Sequence, residues 1–484
     1  MSWKIREVKT KSGKIAIQIF KIKQRKRVDF THIGSGSTEL EMQDLRNQAY
    51  NWIEKQNEGQ PRLFKVKENE IDTYFKHYKY LGFSYSYFYE FLNKVILKFN
   101  LNKHLNKLQL DLIISQILEP SSKRQNLINL EQYFGIKYNL NYLYKLLSKF
   151  DLKLKESIEK EIIEIAKSEY GFDFTFVLYD VTTLYFESFK SDDFKKPGFS
   201  KDNKHNQPQV VIGLMVTQEG FPVHYDVFKG NTFEGNTFLP IILDFKKQNN
   251  ITSLTVVADS AMISKQNIKE LTDNGINYII GARLANLKKE DIELIDKGIK
   301  RKDGEIIKFN NLIIDYKEKR YTKDLKELEK QIEKAKKYEN ITTTKNTKLK
   351  FLKNDLTTYS LNLELIEKNR KLLGLKGYVS NLNIPSEKIV NYYHNLFNVE
   401  HAFRIAKSDL EIRPIYLHKE DTIKNHILIN FICLAISVYL EIKNKASIRS
   451  IVKDLKKVTD AKILNLKTNK ILNDRSKITK NLLH

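Results

Sequence analysis

The chain has 484 residues, of which 83 are Lys or Arg and 59 are Asp or Glu, giving a formal net charge of +24. This length allows about two to four domains, and the charge favours a nucleic-acid partner, unless the Lys-rich composition reflects only AT-rich coding. The single cysteine, Cys433, excludes an intrachain disulfide and a thiolate metal site, and the longest apolar run, 427–440, is too short to span a membrane, so we expect a cytoplasmic, nucleoid-associated protein.

Residues 1–60 predict a small N-terminal unit made of a hairpin and a helix. Apolar and basic residues alternate over 3–33, which indicates a hairpin that continues into the basic run 21–27. Thr38 is followed three positions later by Glu41, a pattern typical of the capping box that begins a helix.

Residues 61–170 predict a helical domain. Apolar residues recur at helical spacing, aromatic residues are frequent, and the pattern breaks at Pro120. We interpret this region as DNA-binding, although an aromatic-rich helical core that never contacts DNA would have the same composition.

Residues 171–285 predict a mixed α/β sheet. The apolar run FTFVLYD ends in Asp180, and the runs QVVIGLMVT and FPVHYDVF are joined at Gly220 as a hairpin. A helix near 236–248 and the strand SLTVVAD, which ends at Asp259, follow before a further helix and strand. This order of elements favours a mixed sheet over a purely parallel one.

Residues 286–372 interrupt this order of strands and helices and predict an inserted subdomain. A charged helix within it repeats Leu and Ile at heptad spacing over 325–335, as expected either of an interface or of a helix packed on its own domain. The sheet pattern resumes over 373–443 with the strand LKGYVSNL, one long helix over 386–409 and an amphipathic helix. The basic tail 444–484 fits either dimerisation or DNA contact.

The two strand-end aspartates, Asp180 and Asp259, are candidate catalytic residues. A carboxylate at a strand end is held rigidly, is partly desolvated and remains open to solvent and metal. Each aspartate taken singly is equally compatible with a turn or cap residue.

The helix over 386–409 brings further candidates onto one face. Tyr393, Glu400, Arg404 and Lys407 fall within roughly 60° of one another if each helical residue turns the chain by about 100°. That face would present an aromatic ring, a carboxylate and two cations. The alternative is a solvent-exposed face carrying a Glu400–Arg404 ion pair of a few tenths of a kcal/mol.

Together these segments resemble the DDE transposases of bacterial insertion sequences, in the group whose last helix bears a Tyr, Arg, Glu, Lys motif. Tyr393, Glu400 and Lys407 match that motif in residue type and spacing, and Leu396 occupies the arginine position, for which Arg404 or His401 are the substitutes. The segments DVTTLYF at Asp180, VVADSAMISKQNI at Asp259, ILEPSSK, and EIRPIYLHKEDTIKNHILINFICLAI also resemble the family.

The resemblance implies an RNase H-like core with a subdomain inserted between the second and third carboxylates. Asp180, Asp259 and Glu400 would bind two Mg²⁺ or Mn²⁺ ions and cut DNA at the transposon ends. The released 3′-hydroxyl would then attack target DNA, with the second strand cut through a hairpin intermediate. Tyr393, His401, Arg404 and Lys407 would contact the DNA backbone, and the two terminal inverted repeats would be paired by a homodimer.

Three other functions share parts of this pattern. A metal-dependent nuclease without strand transfer would need the same carboxylates, and a DNA-binding protein with a degenerate core would keep the charge without the metals. A phosphotransferase that uses Asp180 as a nucleophile would carry a second aspartate two residues later, where this chain has Thr182.

Overall fold

The computed structural model describes residues 3–23, 26–56, 77–200, 203–262, 264–339, 349–355 and 358–476. The chain divides into two compact units, Met1–Tyr78 and Lys79–His484.

The described residues of the first unit form a three-stranded antiparallel sheet packed on a helix, so the predicted hairpin has a third strand. The predicted capping box is confirmed, because Thr38 Oγ1 accepts from the Glu41 amide at 3.3 Å and Glu41 Oε2 accepts from the Thr38 amide at 3.2 Å. Trp3 and Trp52 pack edge to face over the small core. Its elements are β1 (Trp3–Lys9), β2 (Ile15–Lys23), β3 (Lys26–Gly36) and α1 (Glu39–Gln56).

Among its described residues, the second unit begins with one strand and five α-helices, so the prediction of helices throughout 68–168 was wrong at the strand. That strand, β4 (Tyr78–Ser84), is short and shows little alternation of buried and exposed residues. It is held by pairing with the C-terminal part of the chain. Residues 57–76 lie outside the described part of the chain. The helices are α2 (Ser86–Lys98), α3 (Lys107–Leu118), α4 (Lys123–Phe134), α5 (Leu140–Leu147) and α6 (Leu152–Tyr170). The break at Pro120 is followed by Ser122, whose hydroxyl caps α4 by accepting from the Gln125 amide at 3.2 Å.

An eight-stranded mixed sheet forms the centre of this unit, in the order β10-β11-β14-β9-β8-β5-β6-β7. Only the β5–β8 and β8–β9 pairings are parallel, and the predicted hairpin between β6 and β7 is confirmed, with Gly220 at a φ of +90°. Its first part contains β5 (Phe176–Tyr185), β6 (Gln209–Val216), β7 (Pro222–Lys229), α7 (Glu234–Gln248), β8 (Thr255–Ala258), α8 (Lys265–Asp273) and β9 (Asn277–Ala282).

The segment predicted as an insertion lies partly within the main sheet. Its strands β10 and β11 extend that sheet beyond β14, whereas α10, α11 and a separate hairpin build a small core around Leu328 and Phe351. The heptad helix therefore packs on its own domain. The elements are α9 (Lys289–Gly298), β10 (Ile306–Phe309), β11 (Leu312–Tyr316), α10 (Glu318–Lys336), β12 (Leu352–Asp355), β13 (Thr358–Leu361), α11 (Leu363–Lys371) and β14 (Leu375–Ser380).

The long helix predicted over 386–409 is three pieces, so that prediction was wrong. It consists of α12 (Ser386–His394), α13 (Phe397–Arg404) and a π-helical turn (Ile405–Asp409). The angular positions calculated for one straight helix therefore do not apply. The break falls at Asn395 and Leu396, where buried Leu396 packs into the main core.

The C-terminal part is more regular than its sequence suggests. After α14 (Glu420–Asn444) and α15 (Ile448–Leu455), the strands β15 (Asp460–Asn465) and β16 (Lys470–Arg475) form a hairpin whose first strand pairs with β4. Helix α14 extends beyond the apolar run 427–440, so the prediction that this segment is too short to cross a membrane was wrong in length. However, 89% of its apolar window is buried inside the structure, as expected of a core helix.

Candidate functional site

Asp180 and Asp259 lie side by side on neighbouring parallel strands. The register of β5 and β8 ends with the pair Tyr179 and Ala258, and the residue that follows each of these in the chain is one of the two aspartates. Neighbouring strands are about 4.8 Å apart, so these positions are adjacent. Asp259 directly follows β8 as predicted, whereas β5 continues for five residues beyond Asp180, and Thr182 is a buried strand residue.

The sheet face that carries Asp180 follows from the neighbouring side chains. The Tyr179 hydroxyl lies 2.7 Å from Thr237 Oγ1 on α7, which covers one face. Thr182 faces the opposite side, where it shares a small cavity with Phe403 and Lys407. Because alternate strand residues point to the same face, Asp180 projects with Thr182 toward the side covered by α13.

Glu400 stands on α13, which packs against β5, and α12 packs against β8 and β9. Its side chain is exposed, as is that of Asp259, while Asp180 is half-buried. The helix pair α12–α13 therefore covers the sheet face from which the aspartates project. The break between the two helices allows α12 to approach β9 while α13 crosses β5.

Tyr393 is buried and directed at one of the candidate carboxylates. Its ring is only 3% exposed, and its hydroxyl donates to Asp259 Oδ1 at 3.1 Å. Gly281 makes this approach possible, since a Cβ there would lie 2.5 Å from the Tyr393 hydroxyl oxygen. Burial, reinforced by Asp259, raises the pKa of Tyr393, so the hydroxyl remains a donor. The Tyr393 hydroxyl therefore contacts a candidate carboxylate, whereas the resemblance implied that Tyr393 contacts a DNA phosphate.

Lys376 on β14 places a cation near the candidate carboxylates. This lysine was not among the site residues predicted from the sequence. Its ammonium lies 4.5 Å from the centre of the Tyr393 ring. Burial lowers the pKa of Lys376, while the nearby carboxylates of Asp259 and Glu400 act in the opposite direction. The signal in the sequence was a lysine within a mostly apolar strand. A lysine that faces solvent would give the same pattern.

A buried polar network supports this lysine and tyrosine from beneath. The Tyr378 ring packs against Tyr393 with centroids 4.7 Å apart, and its hydroxyl donates to Asp315 at 2.9 Å. Arg320 donates to both carboxylate oxygens of Asp315, each at 3.1 Å. Asp315 and Arg320 come from the inserted segment, so that segment contributes to the surroundings of the site.

The remaining motif residues occupy the outer side of α13 and the π-helical turn. Arg404 is exposed and donates to His401 Nδ1 at 2.6 Å. His401 Nε2 therefore carries the proton and donates to Glu441 Oε2 at 2.9 Å, which links α13 to α14. Lys407 is half-buried in the π-helical turn.

The oxygen chemistry of this region suits hard divalent cations, because carboxylates are the ligands that Mg²⁺ and Mn²⁺ prefer. Within the described parts of the chain, no three His, Cys, Asp or Glu side chains are gathered closely enough to form a ready-made metal site. Asp180 and Asp259 directly follow the paired residues Tyr179 and Ala258, and the exposed Glu400 stands on the helix that packs against β5.

A mixed sheet with two aspartates at its central parallel strands, covered by a helix that bears a glutamate, defines an α/β protein with acidic side chains on one sheet face. The transposase DDE domain family matches residues 171–436. The chain belongs to this family.

Three solved structures are similar to the chain, all at low identity and with TM-scores below 0.5. A piggyBac transposase synaptic complex with hairpin DNA is 10% identical, with 72% of this chain and 70% of that chain covered and a TM-score of 0.40. A Mos1 transposase paired-end complex is 11% identical, with 48% and 66% covered and a TM-score of 0.16. The Drosophila P element transposase strand transfer complex is 11% identical, with 71% and 82% covered and a TM-score of 0.21. No curated protein matches the sequence.

Proposed function

We propose that this transposase cuts DNA at the ends of its element and joins the released 3′-hydroxyl to target DNA, in a cut-and-paste reaction with a hairpin intermediate. The observation that carries the proposal is the adjacent register of Asp180 and Asp259, on the sheet face covered by the helix that bears Glu400. The DDE domain match over the same residues agrees with it.

Asp180, Asp259 and Glu400 would hold two Mg²⁺ or Mn²⁺ ions. Bound ions would activate the attacking oxygen and stabilise the leaving oxygen of an in-line displacement. Three carboxylates bring three negative charges against the four positive charges of two divalent ions, so a DNA phosphate completes the charge balance. Exposure of Asp259 and Glu400 leaves both carboxylates accessible to the substrate.

The other residues of the site would orient the carboxylates and the DNA. Tyr393 holds one oxygen of Asp259 by its hydrogen bond and leaves the other oxygen available as a ligand. Lys376 places positive charge beside Asp259 and Glu400, where a phosphate would enter. Arg404 and Lys407 would contact the DNA backbone, and His401 holds Arg404 against α13.

The partners in this proposal are the terminal inverted repeats and the target DNA. A net charge of +24 favours both, and binding would weaken steeply with salt because each neutralised phosphate releases counterions. Joining both transposon ends to one target requires two active sites close together, which a homodimer on DNA would supply.

The experiment is incubation of the full chain with DNA that carries the element's terminal repeats, with Mg²⁺ or Mn²⁺ and with a target plasmid. We expect a nick that leaves a 3′-hydroxyl, then a hairpin end and a joined product, all abolished by EDTA. Cleavage that persists undiminished in EDTA, or no cleavage with either metal, would contradict the proposal. Nicking without joining would instead identify a nuclease.

One prediction concerns the hydrogen bond between Tyr393 and Asp259. Tyr393→Phe removes a hydrogen bond to a charged group, so we expect end cleavage to slow by about tenfold and to require more Mn²⁺. Gly281→Ala should act in the same direction, because the added methyl group displaces the hydroxyl. The measurement is cleavage rate against Mn²⁺ concentration, alongside thermal melting.

The matched control is Tyr392→Phe, since the Tyr392 ring stacks on Phe176. We expect this variant to cleave at the wild-type rate. A Tyr393→Phe protein with unchanged Mn²⁺ dependence would show that the hydroxyl does not position Asp259.

A further inference from the structure

A second concave surface lies outside the carboxylate site. It is a cavity of about 860 Å³ between the start of α4, helix α5 and the segment that leads from the π-helical turn into α14. Its volume is within the range of sites that hold small molecules, so it admits one or two nucleotides but not a duplex. The residues that matter here are Lys123, Arg124, Tyr144, Arg413, Tyr416 and Lys419.

The cavity carries an excess of positive charge. Lys123, Arg124, Arg413 and Lys419 line it, and Glu411 is the only acid among the described lining residues. A concave surface lined by one sign of charge concentrates ions of the opposite sign. The cavity therefore favours an anion.

Lys123 is the most informative of these cations. Its side chain is 5% exposed, and its ammonium donates to Gln116 Oε1 at 2.7 Å. Within the described residues, no carboxylate lies within 4.0 Å of it. Burial lowers the pKa of Lys123 to about 8. A buried cation without a counterion is costly, and an anion in the cavity would compensate its charge.

Two tyrosines give the cavity exposed aromatic surface. Tyr144 is 50% exposed and Tyr416 is 61% exposed, and both line the cavity. Aromatic side chains beside cations are the combination that binds single-stranded nucleic acid, because bases stack on the rings while the cations hold the phosphates.

Hydrogen bonds between distant parts of the chain fix the segment on either side of the lining residue Glu411. The Gln116 side-chain amide donates to the Leu410 carbonyl at 2.8 Å. His426 Nε2 donates to the Ile412 carbonyl at 2.9 Å, and burial lowers the pKa of His426 to about 3, so its ring is neutral. These bonds hold the backbone beside the cavity in place.

The cavity also adjoins the strand that bears Asp180. The Ile415 amide donates to the Tyr185 carbonyl at 3.1 Å, and the Arg413 guanidinium lies 5.5 Å from the centre of the Tyr185 ring. Tyr185 is five residues beyond Asp180 on β5, a distance of about 17 Å along the strand. A DNA strand held in the cavity is therefore close enough to continue toward the carboxylates.

We propose that this cavity binds an unpaired nucleotide of the DNA, with its phosphate held by Lys123 and Arg124 and its base stacked on Tyr144 or Tyr416. This proposal rests on the transposase function, because the cavity would supply a second contact to the DNA that the carboxylate site cuts. It assigns a binding site to residues that lie outside the carboxylate motif.

The test is fluorescence anisotropy of the full chain with a labelled single-stranded oligothymidine, in EDTA so that no cleavage occurs. Helix α5 offers matched controls, because Tyr142 and Lys145 are exposed on it but do not line the cavity. We expect Tyr144→Ala and Arg124→Gln to weaken binding by about tenfold. Tyr142→Ala and Lys145→Gln should stay within about twofold of wild type.

Lys123→Met separates a binding role from a structural one. We expect it to weaken oligonucleotide binding while its melting temperature stays at or above the wild-type value, because a buried uncompensated charge is removed. A large loss of melting temperature with unchanged affinity would contradict the proposal.

Two further results would overturn the proposal. One is equal weakening by the cavity variants and their matched controls, and the other is a Tyr144→Ala protein that loses as much affinity for a blunt duplex as for the single strand. Wild-type cleavage of transposon ends together with either result would leave the transposase function standing. If the cavity variants weaken oligonucleotide binding and their controls do not, but the wild type fails to cleave transposon ends, the nucleotide site would stand and the transposase function would fail.

Discussion

Asp259→Asn should reduce cleavage of transposon ends by at least about a thousandfold, which corresponds to ~4 kcal/mol at the transition state. Asp259 follows β8 beside Asp180 in register, and Tyr393 donates to one of its oxygens. An amide at this position keeps the shape of the side chain but removes the negative charge that a divalent ion needs. Glu400→Gln should have an effect of similar size.

The measurement is single-turnover cleavage of end DNA in Mg²⁺ and in Mn²⁺, with DNA affinity determined separately. Asp244→Asn is the matched control, because Asp244 is exposed on α7, the helix that covers the other face of the sheet. We expect both aspartate variants to bind end DNA and only Asp244→Asn to cut it. Equal cleavage by the two would defeat the catalytic assignment.

Glu159→Ala should have the largest effect on stability, a loss of about 3–5 kcal/mol in the free energy of unfolding. Glu159 on α6 is 3% exposed and lies 3.0 Å from the Lys155 ammonium and 3.1 Å from His224 Nδ1 on β7. It also accepts from the Tyr225 amide at 3.3 Å. Its removal leaves a buried ammonium without a counterion between the helical region and the sheet edge.

Urea unfolding of the wild type and of Glu164→Ala provides the comparison. Glu164 lies on the same helix, but its side chain is 65% exposed and pairs with the exposed Lys167, so we expect a change within about 0.5 kcal/mol. Equal stability of the two variants would show that the buried cluster contributes little.

The pH dependence gives a second check on Glu159. Burial alone would raise the pKa of Glu159, but His224 and Lys155 lower it below the usual value of 4.5. Since the folded state has the lower pKa, this stabilisation is present above pH 4.5 and is lost as the pH falls through the folded-state pKa. The gap in stability between wild type and Glu159→Ala should therefore narrow in acid.

The elements that could be predicted are those with a strong local pattern. The apolar run before Asp259 and the hairpin at Gly220 follow from strand-like sequences and a turn glycine, and the structure confirms both. The start of α1 likewise follows from the capping box of Thr38 and Glu41. In each, the decisive interactions are between residues close in sequence.

The elements that could not be predicted depend on distant partners. Strand β4 is held by β15, more than 370 residues later, and neither alternates strongly enough to be recognised alone. The break at Leu396 and the π-helical turn arise because α12 and α13 pack on different strands. Local periodicity contains no information about either contact.

The site was predictable in its residue types but not in its internal contacts. Asp180, Asp259 and Glu400 were candidates from strand ends and spacing, and they remain proposals as metal ligands. The burial of Tyr393 depends on Gly281, and the position of Lys376 depends on the pairing of β14 with β9. Both are long-range packing effects, which a motif of residue types does not describe.

The most direct measurement is a crystal structure of the full chain with end DNA and Mn²⁺, in which anomalous scattering locates the ions. We expect two Mn²⁺ ions about 3.5–4 Å apart, bound by carboxylate oxygens of Asp180, Asp259 and Glu400 together with a DNA phosphate. Ions bound elsewhere, or a Glu400 carboxylate that contacts neither ion in the DNA complex, would contradict it.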